Sequence, residues 1–213
     1  MAAWFDLYGA KLVKATFTHL GYVLICVFIA YFIALFIGIY LSRVPKFADF
    51  ILPIISIFQT VPGIVFVGIL FIYLGMKPIT IIVALSIYAI FPILKNTFIG
   101  LIEVPDQYID AAKGCGMSKI QRLFKVELPL AMPTIIGGLR ISTVYTVSWA
   151  VLSTMIGLGG LGEFIYIGVN TNNNTLIIAG AIPAAIMAIV LSMLIDRLQR
   201  YVSRASYGRK GNA

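Results

Sequence analysis

Polar and apolar residues alternate along this chain in long blocks. Five apolar runs, at about residues 20–41, 50–74, 78–94, 133–156 and 176–195, are separated by polar links. A hydrocarbon layer about 30 Å thick needs about 20 apolar residues in a helix that rises about 1.5 Å per residue. Each run is therefore read as a membrane-crossing helix, and the fold class as all-α integral membrane with five spans. The links between spans are short, except for a charged insert at about residues 103–129 and the stretch 157–175.

Two spans carry interruptions. The second contains Gln59, Thr60, Pro62 and Gly63 near its middle. Proline removes a backbone donor and glycine loosens the helix, so a kink is expected there, one that either lines a path or is satisfied by neighbouring helices. In the fourth span Ser142, Tyr145, Thr146, Trp149 and Ser153 recur at three- and four-residue steps and share one face. That face is too polar for lipid. It suits either a translocation path or hydroxyl bonding to another helix. Tyr145 and Trp149 can present ring faces to a quaternary ammonium ion, or pack between helices. Beyond this span the run MIGLGGLGEF, with Gly157, Gly159, Gly160 and Gly162, reads as a tight turn and a candidate outer gate. It lacks the lysine and hydroxyl residue that a phosphate-binding loop needs.

The charged insert has its own pattern. Pro105 precedes DQYIDAAKG, a helix-forming stretch closed by Gly114 and Gly116. Ser118 and Gln121 then stand at capping-box spacing and start a second helix. Ile120, Leu123, Phe124 and Leu128 give that helix an apolar face, and Pro129 and Pro133 are expected to end it before the fourth span. Helix, sharp turn, helix is the expected form. Small residues at the bend let a partner approach closely.

Composition narrows the class. The chain has 213 residues, 61% hydrophobic and 11% charged, with mean hydropathy +1.01. Soluble domains are about 25% charged, so the solvent for most of this chain is lipid and a single membrane domain, 1–213, is expected. If the N-terminus is outside, every one of the 16 basic residues except Lys11, Lys14 and Lys77 is cytoplasmic, including Arg140, Arg209 and Lys210. That bias favours N-out, C-in. The net charge of +8 then suits an anionic leaflet and requires no nucleic acid. Arg140 is expected to snorkel toward the cytoplasm or to pair with a carboxylate of the insert. The first residues, with Trp4, Asp6 and Lys14, do not read as a cleavable signal; they read as a surface amphipathic stretch leading into the first span.

Other chemistry is sparse. Cys26 and Cys115 lie in unlike surroundings, so neither a disulfide nor a metal site is expected. His19 lacks partners at ligand or catalytic spacing, which argues against an intramembrane enzyme. No carboxylate falls inside an expected span, which argues against a self-sufficient ion-coupled carrier.

Asp110-Ala111-Ala112, then Gly116, then Val126-x-Leu128-Pro129 resembles the EAA loop of ABC-importer permeases. That pattern is Glu-Ala-Ala, three residues, Gly, nine residues, Ile-x-Leu-Pro; the spacing matches throughout, with Asp110 for Glu and Val126 for Ile. The segments QTVP, YAIFPILKNTFIGL, IGLGGLGEFI and IIAGAIPAAIMAIVLSMLIDRL are similar to permeases for glycine betaine, carnitine and choline. Methionine-importer permeases are the close alternative; the AGAIPAA and NTFIGL segments favour the osmoprotectant group.

The resemblance implies a type I importer permease in a prokaryotic plasma membrane. It pairs with a second permease copy or paralogue, two cytoplasmic ATPase subunits, and an extracellular or lipid-anchored binding protein. Asp110, Ala111, Ala112, Gly114, Gly116, Met117, Leu128 and Pro129 are the implied coupling residues. ATP and magnesium belong to the partner ATPase, and this chain, without a Walker motif, is not itself an enzyme.

Overall fold

A computed structural model describes the backbone of residues 2–207 and the side chains of residues 8–204. The side chains of Trp4 and Asp6, and all of Arg209 and Lys210, lie outside the described residues. Every described element is helical: α1 (Ala2–Arg43), α2 (Pro45–Phe58), α3 (Gly63–Leu74), α4 (Pro78–Ile102), α5 (Asp106–Gly114), α6 (Lys119–Arg122), α7 (Leu128–Trp149), α8 (Leu161–Asn170) and α9 (Asn174–Tyr207). A π-helical turn, Leu123–Glu127, joins α6 to α7, and a 3-10 segment, Ala150–Ile156, extends α7.

Four helical stretches are long and apolar enough to cross a membrane, and α2 with α3 makes a fifth if the bent pair is one span. The bundle is built in series: α1 packs on α4, α4 on α7, and α7 on α9, with α8 laid against α9. Small residues make the contacts close. Cys26, Ala30, Ala34 and Gly38 recur every four residues on α1 and are all buried. A Cβ at Gly38 would lie 2.7 Å from the Thr97 side chain on α4, and one at Gly138 would lie 2.6 Å from Asn96 Cβ. Lipid offers no hydrophobic drive for helix association, so such close backbone approach supplies the packing energy instead. The outward faces of α1, α3 and α9 are apolar and exposed, as at Phe28, Phe36, Ile72, Ile182 and Ile189.

Several sequence expectations are corrected here. The first residues do not form a separate surface stretch. They continue into α1 without a break, and Ala15, His19 and Val23 place one face of that helix against the bundle while Phe17 and Leu24 stay exposed. The second span is broken rather than kinked: α2 and α3 meet at 86° across residues 59–62. The prolines 129 and 133 do not end a helix. Pro129 follows directly on the π turn, in the first turn of α7, and the helix runs on through both prolines. The path from Lys119 to Ile156 is therefore one continuous helical rod. The run MIGLGGLGEF is not turn throughout, because its last residues start α8, whose Leu161, Phe164 and Gly168 are buried.

Arg140 does not pair with the insert, and its side chain keeps 41% exposure. Its Nη1 donates to Asp196 Oδ1 on α9 at 2.5 Å. The insert's buried carboxylate, Glu127, is held instead by Arg43 at the end of α1 and by Arg122 Nε at 2.8 Å. Ile120 and Phe124 do not share a packed face with Leu128. Leu128 is buried, whereas Ile120 is 70% and Phe124 64% exposed.

Candidate functional site

The insert forms a projecting bend. Pro105 in extended backbone caps α5, and the helix ends at Gly114 as expected. Gly116 then turns with φ +74°, and Met117 N–H reaches back to Ala112 C=O at 3.1 Å. This is the left-handed helix ending that favours glycine. Ser118 and Gln121 make both hydrogen bonds of the capping box, so the second helix starts immediately after the bend. Asp110 pairs with Lys113 one turn on, at 2.9 Å, on the exposed side of α5. Ala112 faces inward; Ala111, Gly114, Cys115 and Gly116 are exposed, and nothing lies within 4 Å of a Cβ placed at Gly114 or Gly116. Leu128 and Pro129 lie at the root, where the insert enters α7.

Glu127 fixes that root. Burial pushes its carboxyl up, but hydrogen bonds from Arg43 and Arg122 outweigh this and hold it below the ordinary value of 4.5. The triad ties the insert to the end of α1, and Arg122 of α6 closes it from within the insert. A lone Glu in a charged insert gives no sequence signal of this, because Arg43 is 84 residues away.

The broken span and the polar stripe meet in a second place. Gln59, Tyr145, Thr146 and Trp149, with Leu85 and Tyr88 of α4, line a cleft of about 250 Å³. Tyr88 is the residue that sequence reasoning missed. Its hydroxyl donates to Val61 C=O at 2.7 Å, which satisfies a carbonyl freed by the break. Its ring stacks on Trp149 at 5.1 Å and meets Phe66 edge-on at 5.5 Å. One face of Trp149 is thus occupied, and Tyr145 stands half exposed beside it.

The rest of the stripe serves packing. Ser142 donates to Ala89 C=O on α4, Thr146 to Ser142 C=O, and Ser153 to Gly159 C=O. Thr60 and Pro62 lie at the break on exposed backbone. The candidate gate glycines are elsewhere. Gly157, Gly159 and Gly160 take φ of +70°, +71° and +97° in the turn before α8, and Gly162 abuts Val151 C=O.

A Cβ at Gly63 would fall 2.0 Å from the Trp149 ring, which also stacks on Tyr88. Gly63→Val should therefore displace the indole and cost about 1–3 kcal/mol, the usual range for overpacking. In a Trp4→Phe background Trp149 is the remaining tryptophan. A shifted indole emission and a lower unfolding temperature are expected; an unchanged spectrum would contradict the contact.

The description "Binding-protein-dependent transport system inner membrane component" matches residues 13–206. The chain belongs to this family. Among its relatives, the carnitine transport permease protein OpuCB of Listeria monocytogenes is 38% identical, with 93% of this chain and 91% of that protein covered. The choline transport system permease protein OpuBB of Bacillus subtilis is 37% identical over 94% and 93%. The osmoprotectant import permease protein OsmY of Salmonella typhimurium is 36% identical over 87% and 79%.

A chain of the inward-facing MetNI methionine ABC transporter superposes with a TM-score of 0.80 at 23% identity, covering 90% of this chain and 95% of that one. That likeness shows the fold, a type I importer permease. The protein is a multi-pass permease subunit of a membrane transport system, a pore component of a kind that works with an ATPase and a binding protein.

Proposed function

We propose that this chain is the pore-forming subunit of an ATP-driven importer for a quaternary-amine compatible solute: glycine betaine, carnitine or choline. The observation that carries the reading is the ordered, exposed bend at Gly116, capped on both sides and anchored through Glu127 to the end of α1. A loop that only connects spans needs no such stiffness. One that receives a stroke does. The names of the relatives point to the solute class.

In this reading α2 and α3 form one interrupted span, which gives five crossings with the N-terminus outside and the C-terminus inside. The basic residues support that orientation. A second permease, identical or paralogous, completes the pore. Two ATPase subunits, which hold ATP and magnesium, each take one insert, with Asp110, Ala111, Gly114, Gly116 and Met117 at the contact and Ala112 packed behind them. An extracellular or lipid-anchored binding protein delivers the solute. The cleft between Gln59, Tyr88, Tyr145 and Trp149 lies on its path, where aromatic faces attract a cation that cannot donate a hydrogen bond.

The test is uptake of labelled glycine betaine, carnitine and choline into vesicles that contain the permease, its ATPase and its binding protein, with methionine as a control. ATP-dependent accumulation of at least one quaternary amine, and not of methionine, is expected. Accumulation driven by an ion gradient with the permease alone would contradict the proposal.

A further inference from the structure

A separate cleft of about 640 Å³ lies at the opposite end of α1 from Arg43, between the first described turns of α1, the glycine turn 157–160 and the start of α8. Its walls carry opposite charges. Lys11, Lys14 and Thr18 form one stripe of α1 at three- and four-residue steps. Glu163 stands in the first turn of α8, its Oε2 leaning over Gly159. Among the described residues no ion pair joins Glu163 to Lys11 or Lys14, or any of the three to another residue. Charges this close to one cleft, left apart, form a site with a positive wall and a negative wall.

Three further features shape it. Gly160 caps α8 without a side-chain hydrogen bond, so the positive end of that helix opens onto the turn. His19 lies fully buried beneath the turn. Its Nε2 is 3.0 Å from Val147 C=O, while its Nδ1 has no partner and faces Gly160, 3.5 Å from where a Cβ would stand. Tyr8 and Phe164 meet edge to face at 6.4 Å beside Glu163 and offer aromatic surface to a cation.

We propose that this cleft binds a small zwitterion bearing a carboxylate and a quaternary ammonium group. Lys11 and Lys14 take the carboxylate. Glu163 and the Tyr8–Phe164 pair take the cationic head. A quaternary ammonium donates no hydrogen bond, so a carboxylate and ring faces suit it, whereas a carboxylate gains charge-assisted hydrogen bonds from lysine. The inference rests on the proposed solute class and on this end of the bundle facing outward. It adds a binding step before the solute reaches the inner cleft.

The test uses the assembled transporter in lipid nanodiscs without its binding protein, in a Trp149→Ala background that weakens the inner cleft, titrated with glycine betaine and with choline. Lys11→Gln/Lys14→Gln should weaken betaine by about tenfold, equivalent to about 1.4 kcal/mol, and leave choline, which lacks the carboxylate, unchanged. Glu163→Gln should weaken both. Both lysines are exposed, so the variants are expected to assemble normally.

Equal betaine binding in the parent and the lysine variant would overturn the proposal, as would no betaine binding at all. A lysine effect that appears only with anionic lipid present would also overturn it, assigning the lysines to a lipid phosphate. The uptake assay stands apart: uptake without binding at this cleft sinks the inference alone, whereas absence of quaternary-amine uptake sinks the functional reading.

Discussion

Gly116→Asp is expected to give a permease that inserts, folds and assembles, yet fails to convert ATP hydrolysis into uptake. The left-handed conformation at φ +74° costs a residue with a Cβ about 1–2 kcal/mol, and aspartate sits at the tolerant end of that range. No neighbouring atom lies within 4 Å of the new Cβ, so the fold has room for it. What changes is the outer surface of the bend, which gains bulk and a negative charge where a partner must approach. Uptake of labelled solute in reconstituted vesicles should fall at least about tenfold, a loss of about 1.4 kcal/mol or more of coupling. Solute-stimulated ATP hydrolysis should fall with it, while the unfolding temperature moves little. Wild-type uptake and stimulation in this variant would show that the bend is not where force enters.

Glu127→Ala acts through the opposite means, by loosening the anchor while leaving the contact surface alone. Removing one partner of a buried ion pair costs about 3–5 kcal/mol when the other charge stays buried. Here Arg43 is 41% exposed and regains solvent, so a cost of about 2 kcal/mol is expected, mostly from Arg122 at 17% exposure. Thermal unfolding of the purified complex measures it.

The pH dependence follows from the same triad. Burial alone would raise the Glu127 carboxyl; the two arginines lower it further than burial raises it, so its folded value lies below 4.5. A group held lower in the folded state contributes its stability fully above the unfolded value and loses it as pH falls through the folded value. The difference in unfolding temperature between wild type and Glu127→Gln should therefore be full at neutral pH and shrink only below pH 4.5. A difference that grew on acidification would contradict the assignment.

These two residues also show what the sequence makes legible. The bend at Gly116 is written locally: a proline, two glycines and a serine three residues before a glutamine dictate helix, turn and helix without distant help. The apolar runs are legible for the same reason: four of them fall within helices long and apolar enough to cross a membrane, and the run 50–74 covers the bent α2–α3 pair. The Glu127 anchor is not legible, because its partners come from α1 and from the preceding turn, and no periodicity links them. Tyr88 was missed because a lone tyrosine in an apolar helix carries no pattern; its role exists only once α2 and α3 separate at 86° and leave Val61 C=O to be satisfied. Proline misled in one place. Pro129 and Pro133 signal a helix end by sequence, yet after a π turn the helix runs on through them. The glycines 157–160 do form the turn their spacing suggests, but the end of the run MIGLGGLGEF belongs to α8, whose buried Leu161, Phe164 and Gly168 are spaced for a helix.

Cys115 offers the most direct measurement of the central claim, because it is the exposed cysteine beside Gly116 while Cys26 is buried. A membrane-impermeant maleimide, applied to sealed vesicles of either orientation, reads which side the bend occupies and whether an ATPase covers it. The account predicts labelling from the cytoplasmic side alone, and its suppression when the ATPase subunits are assembled. Labelling from outside, or labelling indifferent to the ATPase, would contradict it.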